Sequence, residues 1–258
     1  EGVREHGPVV VCGDDARLVE VARSTGRAVI TYGFGEGCDA RILAAEPAGV
    51  GTVFTLRLPD GREVESRIKQ NPGMHNVANG AAVLTLIDAL GLEVEAAAEK
   101  LAEFSGVRRR FDLAGEAAGV TVVDDYAHHP TEIAATIQAA RALDFNRIHV
   151  LFQPHRYSRV ALFTEVMHDE FGAAFDGADT VTFMDVYSAG EAPVPGVSGK
   201  TFLAPVIEHG HTGARYVPRR IDVVPAMLEI AEPGDLIITM GAGDVTAIAP
   251  QLVDELGQ

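Results

Sequence analysis

Four short apolar runs recur through the second half of the chain, each ending in polar residues. They are VTVVDDY at 120–126, HVLFQP at 149–154, DTVTFMDVY at 179–187 and DLIITMGAG at 235–243. Runs this short, apolar on both faces, suit strands covered on both sides, as in a parallel sheet. Helix-period segments lie between them. In PTEIAATIQAARAL (130–143), Ile133, Ile137 and Ala140 share one face, and Pro130 suits a first turn. ALFTEVMHDEFGAAF (161–175) and FLAPVIEHG (202–210) read as further helices, and ARYVP (214–218) as a short strand. DVVPAMLEIA (222–231) reads as a helix whose internal proline is expected early. Repeated strand–helix units predict an α/β fold with a doubly wound, mostly parallel sheet and ligands at the carboxyl ends of its strands.

The first half is patterned differently. PVVVC (8–12) and AVITYG (28–33) read as strands around a helix with Leu18, Val21 and Ala22 on one face. Asp14 or Asp15 can cap that helix, and Gly26 can end it. Three half-exposed strands follow: DARILAAE (39–46), TVFTLRL (52–58) and REVESRI (62–68), the last two joined by a PDG turn. Helices are expected over 76–90 and 94–104. The pattern breaks at FSGVRRRF (104–111), so the domains are set at 1–106 and 107–258, with a hinge around 105–108 including Gly106.

Bulk properties narrow the function. Lys and Arg total 21 against 37 Asp and Glu, a net charge of −16 across 258 residues. Such a field repels a phosphate backbone and argues against nucleic acid. No apolar run reaches membrane-spanning length, so no membrane partner is expected. Cys12 and Cys38 lack metal-ligand spacing and are too few for a disulfide framework, which points to a reducing cytoplasm. The chain opens at Glu1 with no Met and no leader, the look of a cut piece.

The polar strand ends carry the chemistry. Asp124, Asp125, Tyr126, His128 and His129 follow the first run, PHRYSR (154–159) the second, DVYSAGE (185–191) the third and GAGD (241–244) the last. Any one of these is compatible with a capping loop; four at one sheet edge point to a site. Arg156 and Arg159 suit a phosphate or carboxylate. His128 and His155 can donate hydrogen bonds or carry charge near neutrality. Asp125 suits a ribose diol, the alternative being an ion pair with a nearby arginine. The adjacent histidines have no metal-motif partners, and no metal is assigned. In NPGMHNVANGAA (71–82), His75, Asn76 and Asn79 crowd a helix start; they suit either a cap or amide contacts to a planar heterocycle. GVSGKT (196–201) ends like a phosphate loop. The position needing glycine is Val194, however, and Pro195 removes an amide, so it is not read as one.

Together GMHNVANGAA, FSGVRRRFD, VDDYAHHPTE, FQPHRYSR, DVYSAGEAPVPGVSG and GAGDV, with the weaker YGFGEGCDARI (32–42), resemble the Mur ligase family of cell-wall synthesis. Tyr126 and PHRYSR are most similar to its alanine-adding member. The resemblance implies an ATP-dependent ligase that joins L-alanine to the carboxylate of UDP-N-acetylmuramate through an acyl phosphate. It implies nucleotide contacts at His75, Asn76, Asn79, Arg110 and Asp125. It implies substrate contacts at Tyr126, His128, His155, Arg156 and Arg159, with His128, His155 and Arg156 closest to the chemistry. The family's ATP loop, metal-holding residues and sugar-nucleotide domain have no counterpart here. The chain is therefore expected to be the late part of the central ATPase domain (1–106) plus the C-terminal domain (107–258), missing its N-terminal portion. Alone it is expected to be inactive, with ATP and Mg2+ used only in the full-length enzyme and no cofactor bound tightly. The alternatives are a ligase that recycles a tripeptide onto the same sugar nucleotide, or a non-catalytic sugar-nucleotide-binding module.

Overall fold

Each half of the chain builds its own sheet. The computed structural model describes residues 7–49, 51–69, 73–104 and 106–258, and it divides into units Glu1–Gly106 and Val107–Gln258. Ser105 of the expected hinge, and Asn71 and Pro72 before the asparagine pair, lie outside the described residues.

The first unit holds β1 (Val9–Cys12), α1 (Ala16–Ser24), β2 (Val29–Gly33), β3 (Ala40–Ala48), β4 (Gly51–Arg57), β5 (Glu63–Ile68), α2 (Met74–Ala89) and α3 (Val94–Glu103). The sheet runs β1-β2-β3-β4-β5, parallel as far as β3 and antiparallel beyond it. Alternation drives the antiparallel part: Phe54, Leu56 and Val64 point inward onto Val77, Ala81 and Leu84 of α2. Asp15 caps α1 by accepting from the Leu18 amide over 3.0 Å. Asp14 instead accepts from the amides of Phe34 and Gly35, 2.8 Å each. The expected packing face of α1 is not buried as a whole. Leu18 and Val21 stay exposed and only Ala22 is covered, because α1 lies against β1 and β2 at the rim of the sheet.

The second unit holds β6 (Asp112–Ala117), β7 (Val120–Asp125), α4 (Pro130–Arg141), β8 (Ile148–Phe152), α5 (Tyr157–Val166), α6 (His168–Ala173), β9 (Thr180–Phe183), α7 (Gly199–Glu208), β10 (Ala214–Tyr216), α8 (Arg220–Leu228), β11 (Leu236–Met240), a 3-10 turn (Asp244–Ala247) and α9 (Ala249–Leu256). Its sheet order is β10-β9-β8-β11-β7-β6, with only β6 antiparallel. Every residue of β8 and β11 is buried, as their mostly apolar runs require, with His149 and Thr239 hydrogen-bonded inside. One face packs Ile133, Ile137, Val160, Phe171, Phe202 and Val206 from α4 to α7. The other packs Val223, Met227 and Leu252 from α8 and α9. The α/β class and the mostly parallel sheet agree with the sequence.

Three details differ. DLAGEA forms β6, which the sequence reading missed; its residues are largely exposed and carry no apolar alternation. The helix expected over 161–175 begins earlier, at Tyr157, and is broken at Met167, where φ −129° and ψ 36° leave the helical region. Pro225 sits in the interior of α8 rather than early, and costs that short helix one backbone bond.

Candidate functional site at the carboxyl edge of the second sheet

The last two residues of β7 are adjacent acids with different jobs. Asp124 accepts from Thr239 Oγ1 and Thr246 Oγ1 at 2.7 Å each and from Arg109 Nε at 3.1 Å. Asp125 accepts from the Phe111 amide at 2.8 Å and the Ala127 amide at 2.7 Å, and is 3 % exposed. Burial pushes its carboxyl above the usual range; those two amides and Arg110 oppose the shift without cancelling it. Asp125 thus holds backbone on both sides of the site. The arginine partner considered for it belongs instead to Asp124.

Beyond the acids the chain turns outward. The Tyr126 amide donates to the Arg109 carbonyl over 2.7 Å. The guanidinium carbons of Arg109 and Arg110 stand 5.0 and 5.7 Å from the Tyr126 ring centroid. His129 is a helix cap: its Nδ1 accepts from the Thr131 amide, while Glu132 accepts from the amides of His128 and His129. His128 Nδ1 lies 3.5 Å from the same Glu132 carboxylate. That Nδ1 also lies 3.0 Å from the Tyr126 carbonyl, which can only accept, so the neutral ring carries its proton there and presents Nε2 as acceptor. Burial lowers the His128 pKa, helped by Arg159 and Arg110, against the pull of the Tyr126 carbonyl and Glu132.

The end of β8 supplies the rest. The Gln153 side chain donates to Asp244 Oδ1 at 2.7 Å and accepts from the Val245 amide at 2.9 Å, tying β8 to the turn after β11. His155 and Arg156 follow. The His155 ring stacks on Tyr187 from the loop after β9, centroids 5.7 Å apart and planes 12° from parallel. Tyr126, His128, His155 and Tyr187 form one row, with successive centroids at 5.4, 6.4 and 5.7 Å. Burial lowers the His155 pKa, and Arg159, Arg156 and His128 push it the same way, against Glu191. Arg156 is exposed and lies 3.7 Å from Glu191. Arg159 is half-buried on the first turn of α5.

The edge therefore brings together Tyr126, His128, His155, Arg156 and Arg159, with Asp125 buried beneath. Arg110 is exposed and pairs with Glu132 at 3.5 Å. Its neighbour Arg109 is the arginine built into the edge, also donating to the Gly241 carbonyl at 2.6 Å. Tyr187, Glu191 and Gln153 are read in the sequence only as parts of their segments, since their roles come from neighbours that only the strand order supplies, whereas Glu132 caps its own helix locally. In the first unit, His75, Asn76 and Asn79 occupy the first turns of α2, with Asn76 Nδ2 2.9 Å from His75 Nε2. The GVSGKT segment starts α7: Ser198 and Thr201 form a reciprocal cap, and Gly199 is required because a Cβ there would strike the Met184 carbonyl. Among the described residues no group of three or more His, Cys, Asp or Glu could hold a metal ion. Among them, too, no helix is long and apolar enough to cross a membrane.

Comparison with known proteins agrees with this architecture. Residues 109–243 match the family described as Mur ligase, glutamate ligase domain. The UDP-N-acetylmuramate–L-alanine ligase of Thermobifida fusca is 44 % identical over 261 residues, covering 96 % of this chain and 54 % of that protein. The solved UDP-N-acetylmuramate–alanine ligase of Thermotoga maritima superposes with a TM-score of 0.72 at 26 % identity, covering 96 % of this chain and 51 % of that one. A murein peptide ligase from Psychrobacter arcticus has the same TM-score, 0.72, at 21 % identity, covering 99 % of this chain and 52 % of that one; this is a likeness of fold alone. The chain spans about half the length of the curated relatives it matches.

Proposed function

The chain belongs to the Mur ligase family, and on that premise we propose that it is the later part of an ATP-dependent ligase that joins L-alanine to the carboxylate of UDP-N-acetylmuramate. The reaction would serve peptidoglycan precursor synthesis in the cytoplasm. On this reading residues 1–106 are the late part of the ATPase domain and 107–258 the ligase domain. The observation that carries it is the row Tyr126–His128–His155–Tyr187 with Arg156 and Arg159 beside it. In a chain of net charge −16, gathering arginines at one strand edge is useful mainly for an acidic ligand.

The chemistry assigns work to these groups. The substrate carboxylate attacks the γ-phosphorus of ATP, ADP leaves, and an acyl phosphate remains. The amine of L-alanine then attacks the acyl carbon, phosphate leaves, and the nitrogen gives up a proton. Arg156 and Arg159 bind and orient the anionic end of the sugar nucleotide. His128, held neutral by burial and the nearby arginines, presents Nε2 to receive the amine proton. His155, neutral for the same reasons, hydrogen-bonds the acyl group. His75, Asn76, Asn79, Arg110 and Asp125 are proposed on the nucleotide side. For Asp125 this needs its remaining lone pairs, since both oxygens already accept an amide. No step is assigned to Mg2+.

A ligation assay tests the reading, using a protein in which this chain follows the upstream half that its relatives carry. UDP-N-acetylmuramate and ATP are supplied with L-alanine, glycine or a tripeptide, and phosphate release is followed. Preference for L-alanine is expected. Preference for the tripeptide moves the assignment to a recycling ligase, and release with none of them refutes a ligase. The 258-residue chain by itself is expected to release no phosphate.

A further inference from the structure

The loop after β9 grips the loop after β8. The Tyr187 amide donates to the Pro154 carbonyl and the Arg156 amide donates to the Tyr187 carbonyl, 2.8 Å each. Further along, Glu191 accepts from the Ser158 amide at 3.0 Å and from Ser158 Oγ at 2.7 Å. These bonds enclose a residue in an unfavourable conformation: Arg156 has φ 68° and ψ 128°, where an L side chain is strained. Such a backbone persists only where its surroundings over-determine it, and it is met most often where a side chain must be aimed.

The side chains continue the pattern. His155 Nδ1 is buried with no hydrogen-bond partner among the described residues, so no such bond at that atom fixes the tilt of the ring. The flat face of Tyr187 does that, 12° from parallel. Tyr187 is itself backed by the turn after β11, where a Cβ on Gly243 would come within 2.8 Å of Tyr187 Cβ. Glu191 stands 3.7 Å from Arg156 Nη1 while occupying the Ser158 amide at the start of α5. With that amide filled by the protein's own carboxylate, an incoming anion is left to the guanidinium groups of Arg156 and Arg159.

We propose that Tyr187 and Glu191 are positioning residues that aim His155 and Arg156 at the acidic substrate, so that the loop after β9 sets affinity for the sugar nucleotide. This rests on the reading of the edge as the sugar-nucleotide site.

Steady-state kinetics in the full-length protein, with UDP-N-acetylmuramate varied at saturating ATP and L-alanine, test it. Tyr187→Ala and Glu191→Ala each raise KM for the sugar nucleotide by about tenfold. KM for ATP stays unchanged. Tyr187→Phe, which keeps the flat ring, restores the wild-type KM. Glu191→Gln, whose amide oxygen still accepts from Ser158, restores it in part. Should Tyr187→Ala fail to fold, Tyr187→Leu carries the same test, since it fills the space without a flat face. Arg156→Ala separates the two ideas. If it raises the sugar-nucleotide KM while the Tyr187 and Glu191 variants do not, the positioning role is wrong and the site stands. If it too leaves KM unchanged, the site reading fails and takes the proposal with it. A uniform fall in kcat with no change in KM also overturns the positioning role.

Discussion

Arg109 reaches Asp124 with its Nε at 3.1 Å and fixes the start of the second unit to the end of β7. The same guanidinium donates to the Gly241 carbonyl, so one side chain joins two neighbouring strand ends. Asp124 is nearly buried, and without Arg109 its charge keeps, among the described residues, two hydroxyl donors, Thr239 and Thr246. Arg109→Ala should therefore cost about 3 kcal/mol of stability. Arg110→Ala removes an exposed pair with Glu132 and an exposed contact with the Tyr126 ring, and should cost less than about 1 kcal/mol. Urea unfolding of the two variants measures both; equal losses would contradict the separation.

Asp125 makes a prediction with a sign. Its carboxyl titrates above the ordinary range because burial outweighs the two amide bonds and Arg110. As pH rises past the ordinary carboxylate value, the unfolded chain ionises first, so this group's contribution to stability falls until the folded carboxyl also ionises. Asp125→Asn lacks that decline, but its single acceptor oxygen strands one of the Phe111 and Ala127 amides at a cost of about 1–2 kcal/mol. The difference between variant and wild type should shift in favour of the variant as pH rises from about 4 towards 7. Unfolding free energies across that range check it; a shift the other way would place the Asp125 carboxyl below the ordinary value.

At the opposite edge of the same sheet, Asp235 accepts from His149 Nε2 at 2.9 Å and Arg147 Nη2 at 2.8 Å, with the Glu232 amide at 2.9 Å. His149 Nδ1 lies 2.9 Å from Thr180 Oγ1, so β8, β9 and β11 are locked together there. Burial raises the Asp235 carboxyl, but the bonds from Arg147, His149 and the Glu232 amide outweigh it and leave the group below the usual range. Its stabilisation is complete above the ordinary carboxylate pKa and is lost as pH falls through the depressed value. Asp235→Asn should cost about 3 kcal/mol at neutral pH, and less in acid. Denaturant midpoints at neutral and acid pH test this, and a cost independent of pH would count against it.

Gly199 separates packing from phosphate binding. A methyl group there meets the Met184 carbonyl, so Gly199→Ala should lower stability by about 1–3 kcal/mol through overpacking. Lys200 is exposed on the first turn of α7, and Lys200→Ala should leave the KM for ATP unchanged in the full-length protein. A large rise in that KM would make GVSGKT a nucleotide loop after all.

The buried strands were legible because short, mostly apolar runs between polar ends have few other fates, as β8 and β11 show with four apolar residues in five each. β6 was not, since DLAGEA is held by pairing with β7 rather than by burial of its own side chains. The candidate site was legible as a set of strand ends, which is why Tyr126, His128, His155, Arg156 and Arg159 converge. Its supports were not. That Tyr187 backs His155 follows from β8 and β9 being neighbours. Three consecutive arginines look alike in sequence; a positive φ at Arg109 turns that one into the strand ends.

The central claim is that side chains from successive strand ends, with Arg156 and Arg159 after β8 supplying the positive charge, meet an acidic sugar nucleotide. The most direct measurement is the KM for UDP-N-acetylmuramate of Arg156→Ala in the full-length ligase, beside Lys200→Ala. The expected result is a rise of about tenfold or more for Arg156→Ala, as for loss of a charge-assisted contact, and none for Lys200→Ala. Unchanged saturation and turnover in Arg156→Ala would contradict it.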